Sequence, residues 1–363
     1  MKKRISEETI GERFFSSFPP PKFLNLKVTG VDISDSSVKV LGLEQTPKGS
    51  VPVFFEERRI ALGVVNQGGI EDPEPLVTVL TALRRKYNMN FVRASLPEEK
   101  VYLFQTTLPH TEDTQQIYNS IEFQLEEHVP IPSSESIFDY DIIEKTRNGM
   151  SVSVTVFPKT VIKNYQKIFA LSGLTPVSFV LEGQAIANAV IAEGDTHTYM
   201  IVDFGRTRSG IAIVKNGIVS FTSTVDIGGD ELNKAVMKHF KVDEIEAQKI
   251  KNKKGFIDNT DNKELYNSLM STISALKDEI NRHFIYWNTR DTNQKERDTI
   301  HKIILCGGHA SLAGLSEFLS LGIKVPVEKA HVWQNAFSYD EYVPRMSRDM
   351  SLSYATVIGL TLG

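Results

Sequence analysis

The sequence predicts a mixed α/β protein made of two similar halves. Three observations predict it. A β-rich pattern occurs twice, at residues 28–59 and again at 200–229. Each copy is followed by helix-periodic segments and short apolar strands, an order that gives mixed sheets covered on both faces. The chain has 363 residues, more than one hydrophobic core ordinarily serves.

Each copy opens with an apolar strand ending in an aspartate, Asp32 or Asp203. A tight turn of small and hydroxyl residues follows. A second strand, a turn (Pro47-Lys48-Gly49 or Lys215-Asn216-Gly217) and a third strand complete the unit. After the first copy, Leu76, Leu80, Leu83 and Tyr87 recur at helical spacing, and Asp72-Pro73 is a good helix start. Strands are expected at 91–96 and 101–108. A polar, acidic helix at 111–128 carries Ile117, Ile121 and Leu125 on one side, and Val129-Pro130-Ile131-Pro132 stops it. Residues 136–144 and 151–157 alternate like a hairpin around Asn148-Gly149. A helix at 159–172 closes on Gly173. A strand at 177–181 and a helix at 183–192 lead into the second copy.

After that copy, helices are expected at 230–240 and within the charged stretch 243–261. A long helix at 262–287 has Leu265, Leu269, Ile273, Leu276, Ile280 and Phe284 on its apolar side. A polar loop (288–298) precedes a buried parallel strand at 300–305. Gly307-Gly308 makes the next turn. A helix (312–321), a short strand (326–328) and a closing helix (351–362) finish the chain. Residues 111–173 have no counterpart after Gly229 and read as an inserted subdomain. The expected organisation is an N-terminal extension (1–23), a first half (24–197, insertion about 109–175) and a second half (198–363, helical subdomain about 229–297).

Composition bounds the function. A hydrophobic share of 41% and a charged share of 24% are ordinary for a soluble globular chain. A formal charge of −4 argues against a general nucleic-acid binder. The single cysteine, Cys306, forbids an intramolecular disulfide and fits a reducing compartment. Set in an apolar run, it is expected to be buried and inert. No apolar stretch is long enough to span a bilayer, and the N-terminus lacks a signal-peptide core, so the expected location is the cytoplasm. In the first 22 residues Ile10, Phe14 and Phe18 share a helical face. Two readings of that segment stand: an amphipathic stretch touching a membrane or partner, or a frayed end or helix packed on the domain.

The loops carry the chemistry. A carboxylate at a strand end can hold magnesium, usually through water. The turns after Asp32 and Asp203 are Ser34-Asp35-Ser36-Ser37 and Gly205-Arg206-Thr207-Arg208-Ser209. Their hydroxyls and backbone N–H groups suit phosphate oxygens, and Lys39 stands where it can point back at one. Either aspartate alone could simply cap its own turn, but the two occupy matching places. Gly228-Gly229 opens a helix, where backbone can approach a phosphate or ribose. Gly307-Gly308-His309 suits a flat base against bare backbone.

These loops, in this order, resemble the actin-like ATPase superfamily, which includes FtsA, MreB, the heat-shock chaperones and the sugar kinases. Within it the chain is similar to the PilM family of type IV pilus assembly proteins. The resemblance runs from about Val28 to the C-terminus. It includes GVDISDSSVKV, IEDPEPLVTVL, RASLPEEKVYLFQTTLP and the inserted IEFQLEEHVPIPSSESIFDYDII. GLTPVSFVLEGQAIANAV, DIGGDELNKAV and IILCGGHASLAGLSEFL complete it. The stretch from Glu246 to Lys251 resembles the adenosine-contacting helix shared with FtsA.

The resemblance implies a duplicated actin-like (ribonuclease H-like) ATPase fold with an inserted α/β subdomain in the first half, and ATP with magnesium between the halves. Asp32, Ser34, Ser36, Ser37 and Lys39 would form the first phosphate loop, and Asp203, Gly205, Thr207 and Ser209 the second. Asp32 and Asp203 would hold the metal, with Asp203 the candidate for aligning water. Gly228, Gly229, Lys251, Gly307 and Gly308 would surround ribose and base. The implied role is a cytoplasmic adaptor, peripheral to the inner membrane through its partners. It would bind the N-terminal tail of a PilN-like membrane protein and link that platform to the pilus motor ATPases, with no nucleic acid involved and homo-oligomerisation left open. An FtsA-like filament protein and a sugar-kinase-like phosphotransferase are the alternatives. Ser34 replaces the usual glycine of D-I-G, and Gln248 a common glutamate. Arg206 and Arg208 either clamp a phosphate or fill its place.

Overall fold

The computed structural model describes residues 26–146, 149–290 and 299–363. The N-terminal extension, Asn148 of the expected hairpin turn and most of the polar loop at 288–298 lie outside those residues.

The repeat in the sequence becomes two sheets of one pattern. The first contains β1 (Val28–Ile33), β2 (Ser37–Thr46), β3 (Gly49–Arg59), β6 (Phe91–Leu96) and β10 (Thr175–Leu181), in the order β10-β6-β1-β2-β3. The second contains β11 (Thr198–Phe204), β12 (Ser209–Lys215), β13 (Ile218–Val225), β14 (Ile300–Cys306) and β15 (Val327–Lys329), in the order β13-β12-β11-β14-β15. In each, an antiparallel three-stranded unit is extended by two parallel strands beside its first strand. A small ladder, β4 (Val65–Asn66) with β5 (Gly69–Ile70), was not legible in the periodicity.

Helices start and stop where their ends can be satisfied. For α1 (Pro73–Tyr87), the Asp72 side chain accepts from the Glu74 N–H, Pro73 fills a first-turn position, and Asn88 closes the end in the left-handed region. The β12–β13 turn has Asn216 and Gly217 at φ 54° and 78°, the values a tight hairpin turn demands.

The inserted unit is β7 (Tyr102–Leu108), α2 (Thr114–His128), β8 (Ser136–Thr146) and β9 (Gly149–Pro158), with sheet order β7-β9-β8. It has its own apolar cluster, including Ile117, Ile121, Leu125, Val152 and Val154. It therefore begins one strand earlier than residue 109. The following helix, α3 (Lys159–Leu171), lies outside it, because Ile162, Tyr165, Ile168 and Phe169 pack in the core of the first half.

The remaining helices are α4 (Glu182–Val190), α5 (Gly229–Phe240), α6 (Glu244–Lys254), α7 (Lys263–Thr289), α8 (Leu315–Ile323), α9 (Arg348–Leu352) and α10 (Ala355–Leu362). The expected closing helix is thus split at Ser353-Tyr354. Although α10 follows the second half in sequence, it packs on α4 and β1 of the first. Gly359 makes this approach feasible: a Cβ there would lie 1.6 Å from the Ala185 carbonyl oxygen. A segment that reads as part of residues 198–363 is therefore a tie between the halves.

A second tie runs through the β12–β13 hairpin, which reaches the inserted unit. Asn216 Nδ2 donates to the Ile143 carbonyl (2.9 Å), Ser153 Oγ to the Val219 carbonyl (2.8 Å), and Lys215 pairs with Glu144 (3.1 Å).

Candidate functional site

The turns that follow β1 and β11 face one another across a single cavity of about 290 Å³ between the halves. Asp32, which is buried, and Asp203, which is half-buried, stand at the ends of those strands and both line it. So do Ser34, Ser36, Ser37, Lys39, Gly205, Thr207, Gly307 and Gly308. Ten of the sequence-derived residues thus share one wall system.

The first turn is closed by its own serine. The Ser34 N–H donates to the Ser37 carbonyl (2.9 Å), and Ser34 Oγ accepts from the Ser37 N–H (3.2 Å). Ser34 is not at positive φ, so this turn does not demand a glycine there. Asp32 is buried and accepts from Ser95 Oγ at 2.7 Å.

The second turn rests on glycines. The Gly205 N–H donates to the Arg208 carbonyl (3.1 Å), and a Cβ at Gly205 would sit 2.7 Å from that oxygen. Gly307, at φ 89°, would press a Cβ to 2.3 Å from Asp203 Oδ1. The His309 ring lies over Gly229, where a Cβ would meet it at 1.9 Å, and its Nδ1 donates to the Gly205 carbonyl at 3.0 Å.

Four expected contacts are not on the cavity wall. Ser209 is fully buried, its hydroxyl donating to the Ile227 carbonyl at 2.6 Å. Gly228 and Gly229 stand behind residues 205–208, with the Gly228 N–H held by Glu231 Oε2 at 2.9 Å. Lys251 is buried and donates to Asn233 Oδ1 at 2.6 Å. Asn233, Gln248 and Asn252 line the cavity there instead, so Lys251 acts on the wall through Asn233. Burial pushes its amine down to about 8, against the attraction of Asp230 and Glu244.

Among the cavity carboxylates absent from the sequence reading are three at the ends of parallel strands: Glu98 and Glu99, just after β6, and Glu182, which opens α4 after β10. All three line the cavity. They stand at the carboxyl ends of parallel strands, where ligands of open α/β sheets collect. That rule, applied to every strand rather than only to the two aspartate-ending ones, finds them. Glu98 accepts from the Gly183 N–H at 2.8 Å. Burial pushes it up to about 8 and raises Glu182 well above the usual carboxylate range. Asp203 is pushed up to about 6, first by burial and then by Asp32, with Lys39 and Arg208 opposing.

The arginines also resolve. Arg206 pairs with Asp230 (3.0 Å) and Glu244 (3.1 Å), along the α5–α6 side. Arg208 crosses the cleft to Asp35 and Glu99 of the first half.

His309 gives the site a pH signature. Burial and Lys251 hold its ring down to about 4, whereas in an unfolded chain it takes up its proton near about 6.5. The stability from a neutral buried ring is complete above about pH 6.5 and is lost as the pH falls toward 4. Melting curves from about pH 7 to about pH 4.5 should show a loss of stability that His309→Asn reduces. An equal loss in both proteins would reject the assignment.

The family model for type IV pilus assembly protein PilM matches residues 30–363. The chain belongs to that family. A solved PilM-PilN type IV pilus biogenesis complex matches with a TM-score of 0.75 at 16% identity, covering 93% of this chain and 98% of that one. Spiroplasma citri MreB5 bound to ADP matches with a TM-score of 0.53 at 14% identity, over 92% and 94% of the two chains. The same protein bound to AMPPNP also matches, with a TM-score of 0.53 at 13% identity, over 93% and 95%. These likenesses establish the actin-like fold. The cell division protein FtsA of Streptococcus pneumoniae is 24% identical over 251 residues, 61% of this chain. The chain spans about half the length of that relative, 54%.

Proposed function

We propose that this family member binds magnesium-ATP in the interdomain cavity and works as an adaptor of the pilus assembly machinery. The observation that carries the nucleotide reading is the meeting of Asp32 and Asp203, from matching strand ends of the two halves, on one cavity. The structures of MreB5 with ADP and with AMPPNP support it.

The cavity's charge sets the form of the ligand. Among the described residues, nine carboxylate and four cationic side chains line it. A bare triphosphate would be repelled, so the nucleotide arrives with a divalent cation. The donors are hard oxygens, which suits magnesium. No group of three or more His, Cys, Asp or Glu among the described residues converges for direct coordination, so Asp32 and Asp203 would hold the ion through its water shell. Magnesium would supply charge neutralisation at the phosphates. Lys39, Ser36 and Thr207 would orient phosphate oxygens, Asp203 would align a water, and Asn233, Gln248, Gly307 and Gly308 would flank ribose and base.

The partner is proposed from the family and from the likeness to the PilM-PilN complex. The chain would receive the N-terminal tail of a PilN-like inner-membrane protein in a groove formed by the inserted unit and the first half, and link it to the motor ATPases. Among the described residues no helix is long and apolar enough to cross a membrane; attachment through such a tail would hold the protein at the cytoplasmic face. A synthetic peptide of the neighbouring platform protein's N-terminus should crosslink to the first half. Crosslinks confined to the second half would contradict this placement.

An FtsA-like filament is the second reading, favoured by Phe123, which is 83% exposed on α2 of the inserted unit. Sedimentation with and without ATP separates the two, since an adaptor stays in the supernatant.

A further inference from the structure

We infer that Arg208 couples triphosphate binding to the ion pairs that bridge the cleft, by exchanging its carboxylate partners there for phosphate oxygens. The inference rests on the nucleotide reading above and goes beyond it.

Arg208 lies in the turn between β11 and β12, in the second half. Its guanidinium lies against carboxylates of the first half, although Nη1 is buried and makes no well-formed hydrogen bond. Nη1 is 3.0 Å from Asp35 Oδ2, Nη2 is 3.3 Å from Asp35 Oδ1, and Nε is 2.8 Å from Glu99 Oε1. The three side chains are only 15%, 14% and 18% exposed, so water screens this cluster far less than a surface pair. One guanidinium thus spans two carboxylates, one from the phosphate turn after β1 and one from the turn after β6.

Two observations mark the cluster as exchangeable. Glu99 Oε2 is buried and has no hydrogen-bond partner among the described residues, so one of the two carboxylates is only half satisfied. Arg208 also lines the cavity beside Thr207 and Gly205, within the turn that faces phosphate. A phosphate offers the same two-oxygen fork as a carboxylate, with more charge. Asp35 and Glu99 are therefore competitors of the phosphate for the same guanidinium.

The competition has a sign that a purely structural ion pair lacks. Removing the carboxylate charges should tighten nucleotide binding, and removing the arginine should weaken it. Calorimetric titration with magnesium-AMPPNP tests this. Asp35→Asn with Glu99→Gln is expected to bind about tenfold more tightly than wild type, and Arg208→Ala about tenfold more weakly. Arg208→Lys, which keeps the charge and loses the fork, should fall between wild type and Arg208→Ala. In the triple variant the gain should vanish. Should the double variant fail to fold, Glu99→Gln alone should still tighten binding, by about threefold.

Equal or weaker binding by the carboxylate variants, with wild type binding normally, overturns the exchange and leaves the nucleotide site standing. A gain that persists without Arg208 also overturns it, as a general charge effect. Absence of binding in wild type and in every variant sinks the nucleotide reading, and the exchange with it.

Discussion

Asp203→Ala is expected to lower the affinity for magnesium-ATP by about 30- to 100-fold while leaving the fold intact or slightly more stable. The loss follows from removing one of the two carboxylates that hold the hydrated ion. Hydrogen bonds to a charged group contribute about 1.5–3 kcal/mol, and each 1.4 kcal/mol is tenfold in affinity. The stability gain follows from burial. Asp203 is pushed up to about 6 because its carboxylate sits among other acids with little water. Alanine removes that cost, and Asp203 is not a principal packing residue. Asp32→Ala should show the same loss of binding, with less relief, because Ser95 donates to that carboxylate. Opposite movements of affinity and melting temperature are the signature of a site that trades stability for function. Unchanged affinity in both variants would reject the assignment of the two aspartates.

The second large effect is structural. Gly359→Ala should destabilise the protein by about 2–4 kcal/mol. The new methyl would lie 1.6 Å from the Ala185 carbonyl oxygen and 2.5 Å from its carbon. Both belong to the backbone of α4, which no rotamer change can move aside. Relief requires α10 to withdraw from the first half. Leu352, Ser353, Ala355 and Thr356, which line the cavity, would shift with it. Nucleotide affinity should therefore fall along with the urea midpoint. An unfolding free energy within about 0.5 kcal/mol of wild type would show that α10 does not tie the halves as described.

The fate of α10 shows where the sequence stops speaking. Its run of small and apolar residues predicts a buried helix, and a buried helix is found. Periodicity reports that a face is covered, but not by what. The covering surface here is the first half, reached through Gly359, and no local pattern announces it. The edges of the inserted unit fail for the same reason. The helix from Lys159 has the apolar spacing of an insertion helix, but its side chains enter the core of the first half.

The two turns that meet at the cavity were legible because duplication made each a check on the other. What the sequence could not show is which of their polar groups the turns consume. Ser209 and Ser34 are both hydroxyls in the right stretch. The structure spends the first on the Ile227 carbonyl and uses the second to close its own turn. The resemblance makes Lys251 a contact, whereas in the structure its buried amine is satisfied by Asn233 and stands behind the wall. The sequence leaves Arg208 between two opposed readings, because its partners across the cleft, Asp35 and Glu99, lie far from it in the chain. Long side chains are the least legible of all, since their reach exceeds the spacing that any local pattern records.

Hydrogen exchange with and without magnesium-AMPPNP tests the account most directly. Gripping of one metal-bound triphosphate from both sides predicts slowed exchange at residues 34–37 and at 205–208 together, with the same dependence on nucleotide concentration. Protection confined to one of these turns, or absent from both at saturating nucleotide, would contradict it.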